Sequence, residues 1–200
     1  IVATALIWLN VSGLYASAGK GLEIVFFEVS NVITTTGFGI TDLTVWPLFS
    51  QVILLILMFI GGSAGSTAGG FKVMRALILT KISKNQVLSS LYPNRVMTIH
   101  VNQQPLDKET QHSVLKYLSP YVTCLLVLTL FLSLDNSDFM VVASAAASTF
   151  NNIGPLLGTD QTFNIFSPFS KLLMSFAMIA GRLEIFPILL LFIPKTWSKY

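Results

Sequence analysis

The stretch NVITTTGFGITD, residues 31–42, interrupts an apolar run with three consecutive threonines and two glycines. Threonine is β-branched and disfavours helix, and glycine adopts backbone conformations that other residues avoid. An apolar helix should therefore end here and give way to irregular chain. A second stretch, STFNNIGP at residues 148–155, has the same order of features. These two stretches decide the fold that the sequence predicts.

The composition is that of a membrane protein. Of 200 residues, 53% are hydrophobic and 10% are charged, whereas globular domains carry about 25% charged residues. Apolar stretches lie at residues 52–60, 117–134 and 172–193, and a spanning helix needs roughly 20 mostly apolar residues. The single cysteine, Cys124, lies in one of them. Neither an intramolecular disulfide nor a cysteine-cluster metal site is therefore expected.

The charge distribution predicts the orientation, because short loops rich in Lys and Arg remain cytoplasmic. Residues 72–116 carry seven basic and two acidic residues, and we expect them and the C-terminus to be cytoplasmic. Residues 13–47 and 135–168 are acidic on balance and should lie outside. The basic residues are spread along the segment and flank two helices, which favours this topological role over binding of nucleic acid or anionic lipid.

The chain contains a repeat. Aligning Gly37 with Gly154 pairs EIVFFEVSNVITTTGF, residues 23–38, with MVVASAAASTFNNIGP, residues 140–155. In each, about a dozen apolar residues precede a polar triplet and a glycine. A helix of about 12 residues is roughly 18 Å long, which is too short to cross a hydrocarbon core of about 30 Å. We therefore predict two re-entrant half-helices between spanning helices. Surface amphipathic helices are the alternative, but both segments are apolar all round.

Non-helical backbone at membrane depth is tolerated where it is buried in protein or lines a water-filled path. We expect both segments to line a pore, with the threonines extended and backbone carbonyls facing a dehydrated alkali cation. The C-terminal end of each half-helix adds roughly half a negative charge. A buried turn that packs two helices is the alternative. The predicted filter residues are Thr34, Thr35, Thr36, Gly37, Asn151, Asn152, Ile153 and Gly154.

The sequence GGSAGSTAGG, residues 61–70, interrupts the apolar run of residues 48–79. At about 1 kcal/mol for each glycine, a helix here is disfavoured by several kcal/mol. We expect a flexible loop below the filter, with small-residue helix packing as the alternative. A phosphate-binding loop is rejected because Phe71 precedes the lysine and no strand precedes the glycines. The loop residues of interest are Gly61, Gly62, Ser63, Gly65, Ser66, Thr67, Gly69 and Gly70.

An offset of 117 residues aligns Gly65 with Arg182, which lies inside an apolar run. A charged side chain within a membrane is costly and indicates a functional site. Glu184 is two residues away and cannot face Arg182 on a helix. We interpret Arg182 as a fixed positive charge beside the ion path and the glycine loop, or as an arginine paired elsewhere in the protein. The two interpretations are compatible.

Four motifs together resemble the Trk/Ktr/HKT superfamily of potassium transporters, and within it the bacterial TrkH subfamily: TTTGF, GGSAGSTAGGFKVMR, STFNNIGP and GRLEIF. The resemblance implies an all-α integral membrane protein in which four units of helix, re-entrant pore helix, filter loop and helix surround one pore with pseudo-fourfold symmetry. Residues 1–80 would be the third unit with a truncated first helix, residues 81–114 a basic cytoplasmic linker and residues 115–200 the fourth unit. The loop of residues 61–70 and Arg182 would form the gate.

The resemblance also implies potassium uptake across the bacterial inner membrane, with potassium as substrate and no organic cofactor. The implied partners are the first and second pore units of the same protein, a second copy in a homodimer, the lipid bilayer and a cytosolic, nucleotide-sensing RCK ring that would contact residues 81–116. No nucleic-acid partner is expected. A glycine in both filters is the potassium-type pattern of the superfamily. Phe71 is a departure, because an aliphatic residue is usual there.

Two filter segments cannot close a ring of four. We therefore interpret the chain, which begins at Ile1 without a methionine, as part of a longer protein and expect it not to conduct alone. A non-conducting membrane assembly subunit of the same fold is the alternative function. An enzyme is not predicted, because His100 and His112 lie in the polar cytoplasmic segment, away from Ser63 and Ser66.

Overall fold

The computed structural model describes residues 1–63, 65–92, 99–101, 104–135, 138–159 and 162–183. These residues also form three 3-10 helices, Ser12–Leu14, Leu43–Val45 and Phe163–Ile165. Two short strands pair antiparallel, β1 His100–Val101 and β2 Gln104–Pro105. The α-helices of these residues are α1 Val2–Val11, α2 Ala18–Ile33, α3 Leu48–Ile60, α4 Val73–Leu91, α5 Lys108–Leu132, α6 Phe139–Phe150 and α7 Pro168–Arg182.

The helix lengths fit the predicted membrane architecture. Among the described residues, α5 is long and apolar enough to cross a membrane, and α3 and α6 are shorter apolar helices. The predicted break in the glycine-rich segment is confirmed, since α3 ends at Ile60 and α4 begins at Val73. The predicted apolar run of residues 172–193 corresponds to α7 up to Arg182. Its remainder, Glu184 and the C-terminal segment lie outside the described residues.

The repeat is present in the structure. The two predicted half-helices, α2 and α6, end at Ile33 and Phe150. The two ends are separated by the predicted offset of 117 residues. α6 has 12 residues, but α2 has 16, so the predicted length of a dozen is wrong for α2. The first turn of the longer helix packs closely against neighbouring side chains, since a Cβ atom at Gly21 would lie within 3 Å of the Trp8 ring and of Tyr15. At 1.5 Å per residue, α2 is still shorter than a hydrocarbon core of about 30 Å.

The offset between the two units changes after the filters. The 3-10 helices begin at Leu43 and Phe163, and the following helices begin at Leu48 and Pro168, so the second unit has three more residues in this loop. Arg182 therefore corresponds to Gly62. The sequence alignment of Arg182 with Gly65 is wrong, because it carried one offset through a loop of different length.

Helix α6 lies at the centre of the fold. Every residue from Val141 to Phe150 is buried. Side chains of α6 belong to each of the two hydrophobic clusters of the fold. One cluster joins α6 to α1, α2 and α3; the other joins it to α4, α5 and α7. In contrast, Leu22, Phe26 and Phe27 on α2 are exposed in this chain. The two repeats are thus held together through the second half-helix.

Close backbone packing fixes α7 against the end of α6. A Cβ atom at Gly181 would overlap the carbonyl oxygen of Phe150. Protein interiors are close-packed, and such a position tolerates no added methyl group without displacement of the backbone. Gly181 therefore sets how closely α7 approaches the end of α6.

Gly181→Ala should lower the melting temperature of the detergent-purified protein, because overpacking typically costs about 1–3 kcal/mol. The matched control is Gly19→Ala in α2, where an added Cβ meets nothing within 4 Å. That variant should keep or raise the melting temperature, since alanine favours helix by up to about 1 kcal/mol. Equal melting temperatures for the two variants would contradict the close contact.

Candidate functional site

The first half-helix ends in a hydrogen-bonded turn made by the threonines. The Thr35 N–H donates to the Val32 carbonyl at 3.2 Å, and the Thr36 N–H donates to the Asn31 carbonyl at 3.0 Å, as in a Schellman motif. Thr34 is right-handed helical, and Thr35 has a φ of 55°. The prediction of an extended backbone is wrong for these two residues. The orphan carbonyls at the helix end are satisfied by a turn that needs a left-handed residue.

The second half-helix ends in the same turn. The Asn152 N–H donates to the Thr149 carbonyl at 3.2 Å, and the Ile153 N–H donates to the Ser148 carbonyl at 2.8 Å. Asn152 also has a φ of 55°, a conformation that asparagine tolerates and that is strained for a β-branched residue. The sequence repeat is therefore a repeat of backbone geometry, and only the first unit carries a strained residue at this position.

Side-chain hydroxyls of the first filter segment are engaged in local hydrogen bonds. The Thr34 hydroxyl donates to the Ser30 carbonyl at 2.7 Å and lies 2.7 Å from the Thr36 hydroxyl. The second filter segment has no threonine at the corresponding positions. Backbone carbonyls are thus the oxygen atoms that both segments have in common.

The two predicted filter segments lie side by side. Gly37 has a φ of 86°, and a Cβ atom there would lie 2.5 Å from the Ile153 carbonyl oxygen. Reciprocally, a Cβ atom at Gly154 would lie 3.1 Å from the Gly37 Cα atom. Both positions require glycine, because the backbones touch and the φ angles are positive. The structure therefore brings together the two glycines that the sequence repeat predicts to be equivalent.

Buried polar side chains of the half-helices support the chain after each turn. The Asn31 Oδ1 atom accepts a hydrogen bond from the Phe38 N–H at 2.8 Å, and the Ser148 Oγ atom accepts one from the Gly154 N–H at 2.9 Å. Asn31 and Ser148 occupy equivalent positions in the repeat. Neither side chain was predicted from the sequence to have this role. The signal was present as a polar residue at the same position of two apolar helices.

The Asn151 side chain joins the second filter segment to the first unit. Its Nδ2 atom donates to the Met58 carbonyl at 2.9 Å, and its Oδ1 atom accepts from the Tyr121 hydroxyl at 3.1 Å. The same hydroxyl lies 3.3 Å from the Phe59 carbonyl. Asn151 was predicted for its carbonyl, but its side chain has a structural role that the sequence did not indicate.

The glycine-rich loop lies against the second filter segment. A Cβ atom at Gly69 would overlap the Asn151 carbonyl oxygen. The loop base is closed by two hydrogen bonds, from the Phe71 N–H to the Phe59 carbonyl at 3.1 Å and from the Val73 N–H to the Gly62 carbonyl at 3.0 Å. The base residues Gly61, Gly62 and Gly69 are buried, whereas Ser63, Gly65, Ser66 and Thr67 are exposed. The predicted loop thus has a packed base and an exposed tip.

Arg182 reaches the tip of this loop. Its Nη1 atom donates to the Thr67 carbonyl, although Arg182 and the loop belong to different units. A cavity of about 120 Å³ beside this contact is lined by residues that include Lys72, Arg75 and Arg182. The Arg75 guanidinium lies 3.9 Å from the centre of the Tyr117 ring. Three basic side chains therefore surround the space next to the glycine loop.

The other end of the filter segments opens into a cavity of about 470 Å³ lined by residues that include Gly39, Asp42 and Gly154. The Asp42 Oδ1 atom accepts hydrogen bonds from the Thr44 N–H at 2.9 Å and the Thr44 hydroxyl at 2.7 Å. These bonds lower the pKa of Asp42, because they favour the charged form. An anionic group therefore stands at this opening, where it attracts cations.

Comparison with known proteins identifies the family. A family model described as cation transport protein, TrkH, matches residues 13–199. The chain belongs to the TrkH family of cation transport proteins. It is 36% identical to the Trk system potassium uptake protein TrkH of Escherichia coli K12, over all of this chain and 41% of that protein. It is 32% identical to the Trk system potassium uptake protein TrkG of the same organism, over 94% of this chain and 39% of that protein.

A solved structure matches as well. The crystal structure of the potassium transporter TrkH from Vibrio parahaemolyticus covers 98% of this chain with a TM-score of 0.89 and 34% sequence identity, and the match covers 43% of that protein. The predicted all-α membrane fold and the TrkH resemblance are confirmed. The chain spans about two-fifths of the length of these relatives.

The equivalent positions Thr35 and Asn152 give a reciprocal test of the turn geometry. Thr35→Asn should raise the melting temperature, because the left-handed conformation costs an ordinary residue roughly 1–2 kcal/mol. Asn152→Thr should lower it, since threonine is strained there and also loses the hydrogen bond from Asn152 Nδ2 to the Met178 carbonyl, 3.0 Å long. Melting temperatures that change in the opposite directions would contradict the assigned turns.

Proposed function

We propose that this chain provides the third and fourth pore units of a potassium uptake system in the bacterial inner membrane. The observation that carries the proposal is the contact between the Gly37 and Gly154 backbones, which places two equivalent filter segments side by side. Two relatives of the chain are named Trk system potassium uptake proteins. Two filter segments that share one pore must lie next to each other. Two turns that pack independently have no such requirement.

Potassium is the substrate of the proposed pore. Backbone carbonyls of residues 34–37 and 151–154 replace part of its hydration shell, as carbonyl rings do in potassium filters. The C-terminal ends of α2 and α6 add negative potential at the same place. Asp42 at the outer opening concentrates cations before they enter. The chain needs no organic cofactor for this function, and we assign it transport rather than enzymatic catalysis.

The gate of the proposed pore consists of the glycine-rich loop and Arg182. A cation that leaves the filter meets the loop of residues 61–70 and then the positive charges of Lys72, Arg75 and Arg182. The repulsion between these charges and the cation opposes its passage. The hydrogen bond from Arg182 to Thr67 holds the tip of the loop in place. Release of that bond would let the loop move and reduce the barrier.

The proposed assembly assigns residues 1–80 to the third unit, residues 81–114 to a cytoplasmic linker and residues 115–200 to the fourth unit. Residues 72–116 and the C-terminus lie in the cytoplasm, and residues 13–47 and 135–168 lie outside. The exposed Leu22, Phe26 and Phe27 side chains on α2 support additional pore units at this face. A homodimer with a nucleotide-sensing RCK ring against residues 81–116 completes the proposal.

Gly37→Ser should abolish most selective rubidium uptake by liposomes that contain the full-length protein. The added Cβ would lie 2.5 Å from the Ile153 carbonyl and displace a proposed ligand. Gly39→Ser is the matched control, because an added Cβ there meets nothing within 4 Å, and it should retain uptake. Rubidium uptake that Gly37→Ser leaves unchanged would remove the filter assignment. No uptake by the parent protein would favour the assembly subunit.

Arg182→Ala should raise rubidium flux, because it removes both the positive charge and the hydrogen bond to the loop tip. Lys171→Ala removes a positive charge elsewhere on α7 and should leave the flux near the parental value. Flux is measured in liposomes at equal protein content. Unchanged or lower flux in folded Arg182→Ala protein would count against an electrostatic barrier at this position.

A further inference from the structure

Glu28 is a buried carboxylate behind the first filter segment. It lies in α2 and is 0% exposed. Its Oε1 atom accepts hydrogen bonds from the Ile40 N–H at 2.8 Å and from the Thr41 N–H at 3.3 Å. Its Oε2 atom is buried and has no hydrogen-bond partner among the described residues. A buried charged group is retained where its hydrogen bonds are needed, because burial of a charge is otherwise unfavourable.

The second unit holds one of the two equivalent N–H groups without a charge, from the helix position before Ala145, which aligns with Glu28. The Leu157 N–H, equivalent to that of Ile40, donates to the Ser144 Oγ atom at 2.9 Å. Ser144 is buried in α6. A hydroxyl is therefore sufficient to hold the chain at this point of the repeat. The carboxylate of the first unit needs another explanation.

The difference lies in how the two filter segments are packed. In the second unit, Ile153 and Leu157 are 3% and 0% exposed, so side-chain packing holds the segment. In the first unit, the equivalent residues Thr36 and Ile40 are exposed in this two-unit chain. The backbone N–H groups of Phe38 and Ile40 are held by Asn31 and Glu28 of α2. Within this chain, hydrogen bonds to α2 therefore hold the part of the first segment whose counterpart in the second unit is held by packing.

We propose that Glu28 is a positioning residue for cation selectivity in the third filter segment, and that it matters more than its counterpart Ser144. This inference rests on the proposed potassium transport function. Glu28 holds residues 40 and 41, and Asn31 holds residue 38, so the carbonyls next to Gly37 are fixed from one side by α2. Functional groups are held to within about 0.5 Å by such supporting hydrogen bonds. Without Glu28, the segment keeps one anchor and its carbonyls can adapt to a smaller ion.

The test measures rubidium and sodium uptake by the full-length protein in liposomes. Glu28→Ala should lower the rubidium-to-sodium uptake ratio by about tenfold, because the third segment loses its outer anchor. Glu28→Gln should keep the ratio within about twofold, because the amide carbonyl accepts hydrogen bonds from the same N–H groups. Glu28→Asp retains the charge but shortens the side chain, and it should lower the ratio. Lys171→Ala, on α7 and outside the filter segments, is the control.

The comparison with the second unit separates a positioning role from general stability. Ser144→Ala should change the uptake ratio by less than about twofold, because packing holds that segment. An effect of Ser144→Ala as large as that of Glu28→Ala would overturn the inference. So would a parental ratio in Glu28→Ala or Glu28→Asp, or an equal loss in Glu28→Gln and Glu28→Ala. If Glu28→Ala is not recovered from the membrane, the rubidium-to-sodium uptake ratio of Glu28→Asp tests the inference in its place.

Failure of the inference is distinguishable from failure of the proposed function. Parental protein that takes up rubidium and sodium equally would overturn potassium-selective transport itself. A parental preference for rubidium that Gly37→Ser abolishes and the Glu28 variants leave intact would overturn only the role of Glu28.

Discussion

Backbone groups released at the ends of α2 and α6 must find hydrogen-bond partners within the protein, because lipid provides none. The fold meets this constraint in the same way twice. A Schellman turn satisfies the last helical carbonyls, and a polar side chain one turn earlier accepts the next N–H groups. The carbonyls next to Gly37 and Gly154 accept none of these hydrogen bonds, and they are the carbonyls that we propose as cation ligands. The requirement to satisfy the backbone would thus also determine which oxygen atoms act as ligands in the proposed pore.

Charged groups lie at both ends of the two filter segments. Asp42 attracts cations at one end of the filter segments, whereas the C-terminal ends of the two half-helices lie next to the glycine-rich loop, where a Cβ atom at Gly62 would lie 3.6 Å from the Ile33 carbonyl oxygen. Lys72, Arg75 and Arg182 surround the cavity beside the glycine-rich loop. The anionic Asp42 and these basic side chains are therefore separated by the filter segments and the buried loop base. Their separation depends on α6, which is buried along its length and packs against both hydrophobic clusters.

The sequence was sufficient to predict the elements that depend on local chemistry. Glycine clustering predicted the break between α3 and α4, and the repeat predicted the ends of α2 and α6. Three features were not predictable from the same signals. The left-handed Thr35 goes against its β-branched preference because the turn is imposed by the helix end. The extra length of α2 lies at its N-terminal end, where Gly21 packs closely against Trp8 and Tyr15. The equivalence of Arg182 with Gly62 depends on the length of a loop that carries no strong pattern.

The Asn151 side chain gives the two units a shared joint. It donates a hydrogen bond to the Met58 carbonyl at the end of α3 and accepts one from Tyr121 of α5. These bonds connect the base of the glycine-rich loop to the second filter segment. A displacement of the loop base would therefore also move the Asn151 backbone. In the proposed pore, movement of the loop and binding of a cation by the second filter segment would influence each other through this amide, and a loop in another position would have to break or rearrange its hydrogen bonds.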